Sequence, residues 1–509
     1  MNDSEINRLK AYAAESDRPP FVYFRAQLLE FLRWLAHSHS TRSIANYSKT
    51  QISHERSRFL FSVLCAGEVW SSRTFREVST DTGGPLTSRR QDYLLSFRHG
   101  REASATVANT YYPLARSSII FGAILPRLLG SFSTSFRETT GLSYEQFLNC
   151  QALFWAMLIN EENEWAHLDL QGLQSRPYGH SLQRFLCRYA QPLSTLATTD
   201  QARSTSEMSC LTNRLRALRK RPILLTSDGN HAAVPDTLIF AEFVSVGPLF
   251  EILQPANQST VFDCFGRAVE EYCGGILRRA YPPTSRRLAR RLYQNASGAS
   301  SAGNFEVDAH VTSGRSAAIL EVKASFLSED VMEGNARFFA RLTNRYVSAE
   351  GGRPKGVKQL ARIVEAICSN EWLGEEDEFN AVARLFPVLV VLDDQLDNGL
   401  VGRFLAEEFA KQFGVELNDR DGGFRRRGRW VAHLMVLTVG TLEELEESLH
   451  CFSLLGMMED YAEAHPDRLL SVRNYVVTSD YSNQLRPNRH LAAASGEIFR
   501  RASVNVSGE

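Results

Sequence analysis

The stretch from Gly303 to Phe326, GNFEVDAHVTSGRSAAILEVKASF, constrains this chain more than any other. It reads as two strands joined by a tight turn at Ser313-Gly314, a pair suited to the positive φ such turns need. With a two-residue loop there, Thr312 faces Arg315, Asp308 faces Ile319 and Glu306 faces Glu321. Strand side chains alternate with period two, which sets Asp308, Glu321 and Lys323 on one face of the hairpin. Asp308 and Glu321 are then diagonal neighbours, about 7–8 Å apart at the backbone.

Two carboxylates that close repel one another unless something positive lies between them, and a hard divalent cation with oxygen ligands suits that place. Mg²⁺, or Mn²⁺ in its stead, binds through one or two carboxylates plus substrate phosphate and keeps several waters. Such an ion stabilises charge on a phosphoryl group and makes a bound water a better nucleophile. Lys323, projecting beside the acids, can orient that water or offset charge on the phosphoryl oxygens. These residue types in this geometry point to hydrolysis of a phosphodiester.

The set Asp308, then Glu321-Val322-Lys323 at the end of an apolar strand, resembles the PD-(D/E)xK superfamily of restriction-endonuclease-like nucleases. The resemblance covers roughly residues 245 to 450 and rests on the hairpin; Val307 stands where the family often has proline. It implies a mixed sheet flanked by helices, metal-dependent cleavage of DNA, and Asp308 and Glu321 as metal ligands. Seven of the 57 basic residues are lysines, and Glu321-Val322-Lys323 is the one acidic-x-Lys in the sequence. The same pattern also suits an amphipathic hairpin with an exposed polar face.

The chain has 509 residues, 43% hydrophobic and 23% charged, enough for two or three cores. Its formal net charge of −1 sets up no global positive field, so DNA affinity must come from local basic patches. Eight cysteines without a C-x-x-C pair argue against zinc and for a reducing interior. No signal peptide is visible, and the most apolar run, Ser117 to Leu129, is too short to span a bilayer. These features lead to the expectation of a cytoplasmic protein without a membrane partner.

The expected architecture is α+β: a mainly helical region over 1–220, a β-containing connection over 221–258, a nuclease-like domain over 259–450, and a helical and loop tail over 451–509. Helices are expected over 21–40, from Asn46 to Trp70, after the Ser143/Gln146 capping box, from Ser181 to Leu196 and from Ser206 to Lys220. The N-terminal helices carry no catalytic constellation and offer surface for DNA, a partner subunit or another copy of the chain. Pro235-Asp236 is a literal "PD", but no acidic-x-Lys follows within a hairpin's length, so it is assigned to a turn. A helix from Ser259 carries Glu270, which the resemblance makes an accessory ligand; Glu271 lies about 100° round that helix.

Arg286, Arg287, Arg290 and Arg291 form a candidate phosphate-contact patch, with Arg426 and Arg427 a second. Asn295 to Asn304, NASGASSAGN, is expected as a flexible loop. Lys358 and Gln359 open a helix that in the family touches the scissile phosphate or a ligand. Pro387 to Asp393 and Trp430 to Val439 read as buried strands. The expectation is a Mg²⁺-dependent DNA endonuclease, by analogy one of the prokaryotic defence or restriction nucleases. A non-catalytic DNA-binding platform and an RNA-cleaving enzyme share the same residues.

Overall fold

The computed structural model describes residues 111–507 except 160–166, 175, 177, 193–194, 196–215, 227–228, 283–289, 301–302, 327–337, 349–353, 375–378, 380 and 418–419. The helices expected before residue 71, Arg286 and Arg287 lie outside the described residues. Elsewhere the expected α+β architecture is what the chain adopts, with helices from Tyr112 onward and then a mixed sheet flanked by helices.

Helix α1 (Tyr112–Ile119) has Pro113 in its first turn, where a missing N–H leaves no bond unmade. Helix α2 (Phe132–Thr140) follows, ended by Gly141. Helix α3 (Tyr144–Ile159) opens with the expected capping box: Gln146 N donates to Ser143 Oγ at 3.2 Å, and Ser143 N donates to Gln146 Oε1 at 2.9 Å. Helix α4 (Gly179–Tyr189) is shorter than expected. The chain leaves it at Ala190 because Ala190–Pro192 pairs in parallel with Ile223–Leu225, in a small sheet completed by His167–Asp169 and His231–Ala233. Asp236, expected in a turn, caps helix α5 (Thr237–Ile252), its carboxylate accepting from Ile239 N at 2.7 Å. Helix α6 (Gln258–Ala280) buries Val261, Phe265, Val269, Tyr272 and Ile276, the face its spacing predicts.

The large sheet contains β1 (Arg290–Ser300), β2 (Gly303–Ser313), β3 (Ser316–Lys323), β4 (Leu373–Gly374), β5 (Arg384–Val391), β6 (Gly423–Arg426), β7 (Arg429–Ala432) and β8 (Met435–Thr438). Its order is β6-β7-β5-β3-β2-β1-β4, and β8 also pairs with β5. Three expectations change here. The hairpin loop is Gly314-Arg315, because Ser313 pairs with Ser316 and Gly314 takes the positive φ of 59°. The register therefore moves by two residues. Because two is the strand period, every side chain keeps its face.

In its described residues, Asn295 to Ser300 and Gly303 to Asn304, the segment expected as a loop is strand. Its residues extend β1 and β2, whose pairing runs out to Ser300 opposite Gly303, so the ladder satisfies backbone groups that a loop would leave to water. The strand expected from Trp430 to Val439 is broken into β7 and β8. Val431 aligns with Leu385 and Met435 with Val388, so one extra residue is accommodated opposite Phe386-Pro387. Pro387 has no N–H to give the ladder, which makes this the place where a break costs least.

Helices cover both faces of the large sheet, and β5 displays the alternation. Phe386, Val388 and Val390 enter one apolar cluster, with α1 to α6 and helix α9 (Val439–Leu445). Leu385, Leu389 and Val391 enter another, with helices α7 (Gly356–Cys368) and α8 (Gly399–Lys411). The first cluster runs from Leu114 to Ala502, so helices α10 (Leu454–Ala464), α11 (Val472–Thr478) and α12 (Arg489–Ser507) close over the same core. No single helix among the described residues is long and apolar enough to cross a membrane.

Candidate active site

The β2–β3 ladder ends at Ala309 opposite Leu320, and the β1–β2 ladder skips the rung at Asp308. One more step of the register sets Asp308 opposite Glu321. Where backbone pairing stops, the Asp308 side chain takes over: its Oδ2 accepts from Val322 N at 2.7 Å. Lys323, two residues beyond Glu321 and so on its side of the strand, donates from Nζ to Glu321 Oε1. The three residues singled out by sequence thus meet at the end of one hairpin.

Glu321 is fully buried, and its second oxygen, Oε2, has no hydrogen-bond partner among the described residues. Burial pushes this carboxyl up to about 8, against the pull of Lys323 and with the charges of Asp308 and Glu270 adding. Burial also raises Asp308, opposed by Lys323 and by the bond from Val322. Glu270, on α6, is pushed up to about 7 by burial and by the neighbouring charge of Asp308. Burial works to lower the Lys323 ammonium, but Glu321, Asp308 and Glu270 outweigh it and hold the group above the ordinary lysine range. One ammonium therefore serves three carboxyls, and each of the three stands above its normal range. Such a site gains from added positive charge.

Glu271 points elsewhere and pairs with Arg127. Gln359 reaches the site from α7, its Nε2 3.5 Å from the Glu306 carbonyl. Gly356 lets α7 start there: its φ is +33°, and a Cβ would lie 2.5 Å from the Tyr346 carbonyl oxygen. Asp308 and Glu321 suit a hard cation that keeps its waters, and the unpartnered buried Oε2 is the atom such an ion would satisfy. Glu270 does not close a third ligand position, since among the described residues no group of three or more His, Cys, Asp or Glu is arranged to hold a metal.

The arginine and lysine expectations fare differently. Arg290 and Arg291 open β1 opposite Ser313 and Thr312. Arg426 and Arg427, at the β6–β7 turn on the sheet's edge, both reach Glu365: Arg426 Nε lies 2.8 Å from Oε2 and Arg427 Nη2 3.1 Å from Oε1. A guanidinium already engaged by a carboxylate is a weaker phosphate contact than a free one. Lys358 is half-buried on α7 and, unlike Gln359, does not line the cleft into which the site opens.

That cleft has a volume of about 1600 Å³ and runs between the sheet end and the helices before it. Glu270, Lys323 and Gln359 line it, as do Lys220, Arg221, Phe250 and Phe262. Those last four were missed from the sequence because Lys220-Arg221, Phe250 and Phe262 come from three separate places in the chain with no shared periodicity. Lys355, the residue before α7, also lines it. Comparison of the chain with family models, curated proteins and solved structures finds no match.

Proposed function

We propose that this protein is a metal-dependent nuclease that hydrolyses DNA phosphodiester bonds, as its resemblance to the PD-(D/E)xK superfamily implies. The observation that carries the reading is the convergence of Asp308, Glu321 and Lys323 where the hairpin ladder ends beside an open cleft. Asp308 and Glu321 would hold Mg²⁺ or Mn²⁺, with Glu270 near enough to feel the charge of Asp308 and to add to the upward shift of Glu321. The ion would supply positive charge to the phosphoryl oxygens and acidify a water.

The chain's own groups do the rest. Lys323, held protonated by its acidic neighbours, offers a donor at the mouth of the site for a phosphoryl oxygen or the attacking water. Glu321 fixes that ammonium through Oε1, and the bond from Val322 N fixes Asp308. Gln359 borders the cleft from α7, where its amide can donate to a phosphate.

The test is incubation of the full chain with plasmid DNA, single-stranded DNA and RNA in Mg²⁺ or Mn²⁺, beside Lys323→Ala and Asp308→Ala. Wild type is expected to cut DNA, with Lys323→Ala slower by on the order of 10²–10⁴-fold. Wild type that cuts no DNA, or a Lys323→Ala protein that cuts equally well, overturns the reading.

A further inference from the structure

The described residues expose three large apolar side chains, Phe250 at 53%, Phe262 at 37% and Leu469 at 49%. Both phenylalanines line the cleft that opens onto Glu270 and Lys323. They belong to different helices, α5 and α6, so helix amphipathicity alone does not bring them together. Phe326, just beyond β3, extends the row: its ring centre lies 6.3 Å from that of Phe250 and 5.9 Å from that of the buried Phe265. Phe265 and Phe326 are stacked at 29°, which anchors the row in the core.

The cations of the cleft fall into two groups, and the carboxylates of Asp263, Asp393 and Asp397 also line it. Arg188 pairs with Glu251, Arg219 with Glu242, and Arg116 with Glu443 and Asp394, so these cations are neutralised within the protein. Lys220, Arg221, Arg345 and Lys355 are exposed, line the cleft, and form no ion pair with a carboxylate of the described residues. The cleft thus joins exposed aromatic faces, unpaired cations and two of the candidate site residues, Glu270 and Lys323.

We infer that the cleft binds a single strand of DNA, with bases stacked on Phe250 and Phe262 and phosphates met by Lys220, Arg221, Arg345 and Lys355. The choice of DNA, and of Lys323 and its acidic neighbours as a catalytic centre, rests on the function proposed above. The choice of a single strand does not. A duplex hides its base faces and presents phosphates and groove edges, so it has no use for exposed rings. An unpaired strand offers a π-face at every nucleotide, and aromatic platforms beside a positive groove are how such strands are held. An apolar peptide would use the rings but leave the cations without partners.

The experiment is binding of a fluorescent oligonucleotide to the full chain in EDTA, where no metal-dependent cutting intervenes. Single-stranded DNA, the same sequence as duplex, and the same sequence as RNA are compared. The single strand of DNA is expected to bind at least tenfold more tightly than the duplex. Phe250→Ala and Phe262→Ala should each weaken it by on the order of tenfold, with Phe→Trp at either position restoring affinity. Lys220→Gln and Arg221→Gln should each flatten the log–log salt dependence by about 0.7. Duplex or RNA binding as tight as single-stranded DNA, or alanine variants that bind like wild type, overturns the inference. Failure of the two readings is distinguishable. A protein that binds single strands through the phenylalanines but cuts nothing loses the nuclease reading alone, whereas one that cuts duplex with both phenylalanines replaced loses this one alone.

Discussion

Arg116 and Glu443, 327 positions apart in sequence, meet end to end inside the protein through two bonds of 2.7 Å. Tyr272 donates to the same carboxylate at 2.6 Å, and Asn488 Nδ2 donates to the Glu443 carbonyl at 2.9 Å. Helix α1, the site helix α6, helix α9 and the residue before α12 are thereby tied at one point. Removing one charge of a buried pair strands the other, which costs about 3–5 kcal/mol. Arg116→Ala or Glu443→Ala is expected to lower the urea unfolding free energy by that amount. The double change Arg116→Met with Glu443→Leu should cost less than either single change.

Asp236 and Asp308 make a contrasting pair. The first caps α5; the second sits opposite Glu321. Asp236→Ala should cost about 1 kcal/mol of stability and leave DNA cleavage unchanged. Asp308→Ala should abolish cleavage. Equal losses of activity in the two variants would show that the second aspartate has no special part.

Cation binding can be read without activity. Mn²⁺ at a hundredfold excess over its Kd should stabilise the wild-type chain by about 2.7 kcal/mol, seen as a higher Tm. Glu321→Gln and Asp308→Asn should lose that gain. A Tm that rises equally in all three proteins would place the ion elsewhere.

His433, buried beside the guanidinium of Arg468, is pushed down to about 4, by burial first and then by that charge. Its folded form is neutral, whereas the unfolded chain takes up a proton below about 6.5. The stability this difference contributes is present above pH 6.5 and is lost as pH falls towards 4. Relative to His433→Asn, wild type should lose about 3 kcal/mol across that window, measured by urea unfolding at stepped pH. A constant difference across the window would show that the folded imidazole takes up its proton as readily as the unfolded one.

The helix faces, the Ser143 cap and the Asp308/Glu321/Lys323 set were legible because each follows from a short local period. The hairpin register was read two residues out. Ser313-Gly314 and Gly314-Arg315 both place a glycine in the turn, and the ladder to β5 that fixes β3 involves residues nearly seventy positions away. Its parity survived, and parity is what places side chains on a face. The extension of β1 out to Ser300 and of β2 back to Gly303 was hidden because alanine, serine and glycine signal a loop when no pairing partner is known. The cleft could not be read at all, since it exists only once α5, α6 and the start of α7 are set around the sheet.

The continuous apolar cluster from Leu114 to Ala502 bears on how this protein can be handled. A fragment cut to residues 259–450 would keep every candidate catalytic side chain yet leave Phe265, Val269 and Leu442 facing water where their neighbours had been. Such a piece should aggregate rather than fold, so attempts to shrink the protein must start from replacing that lost cover.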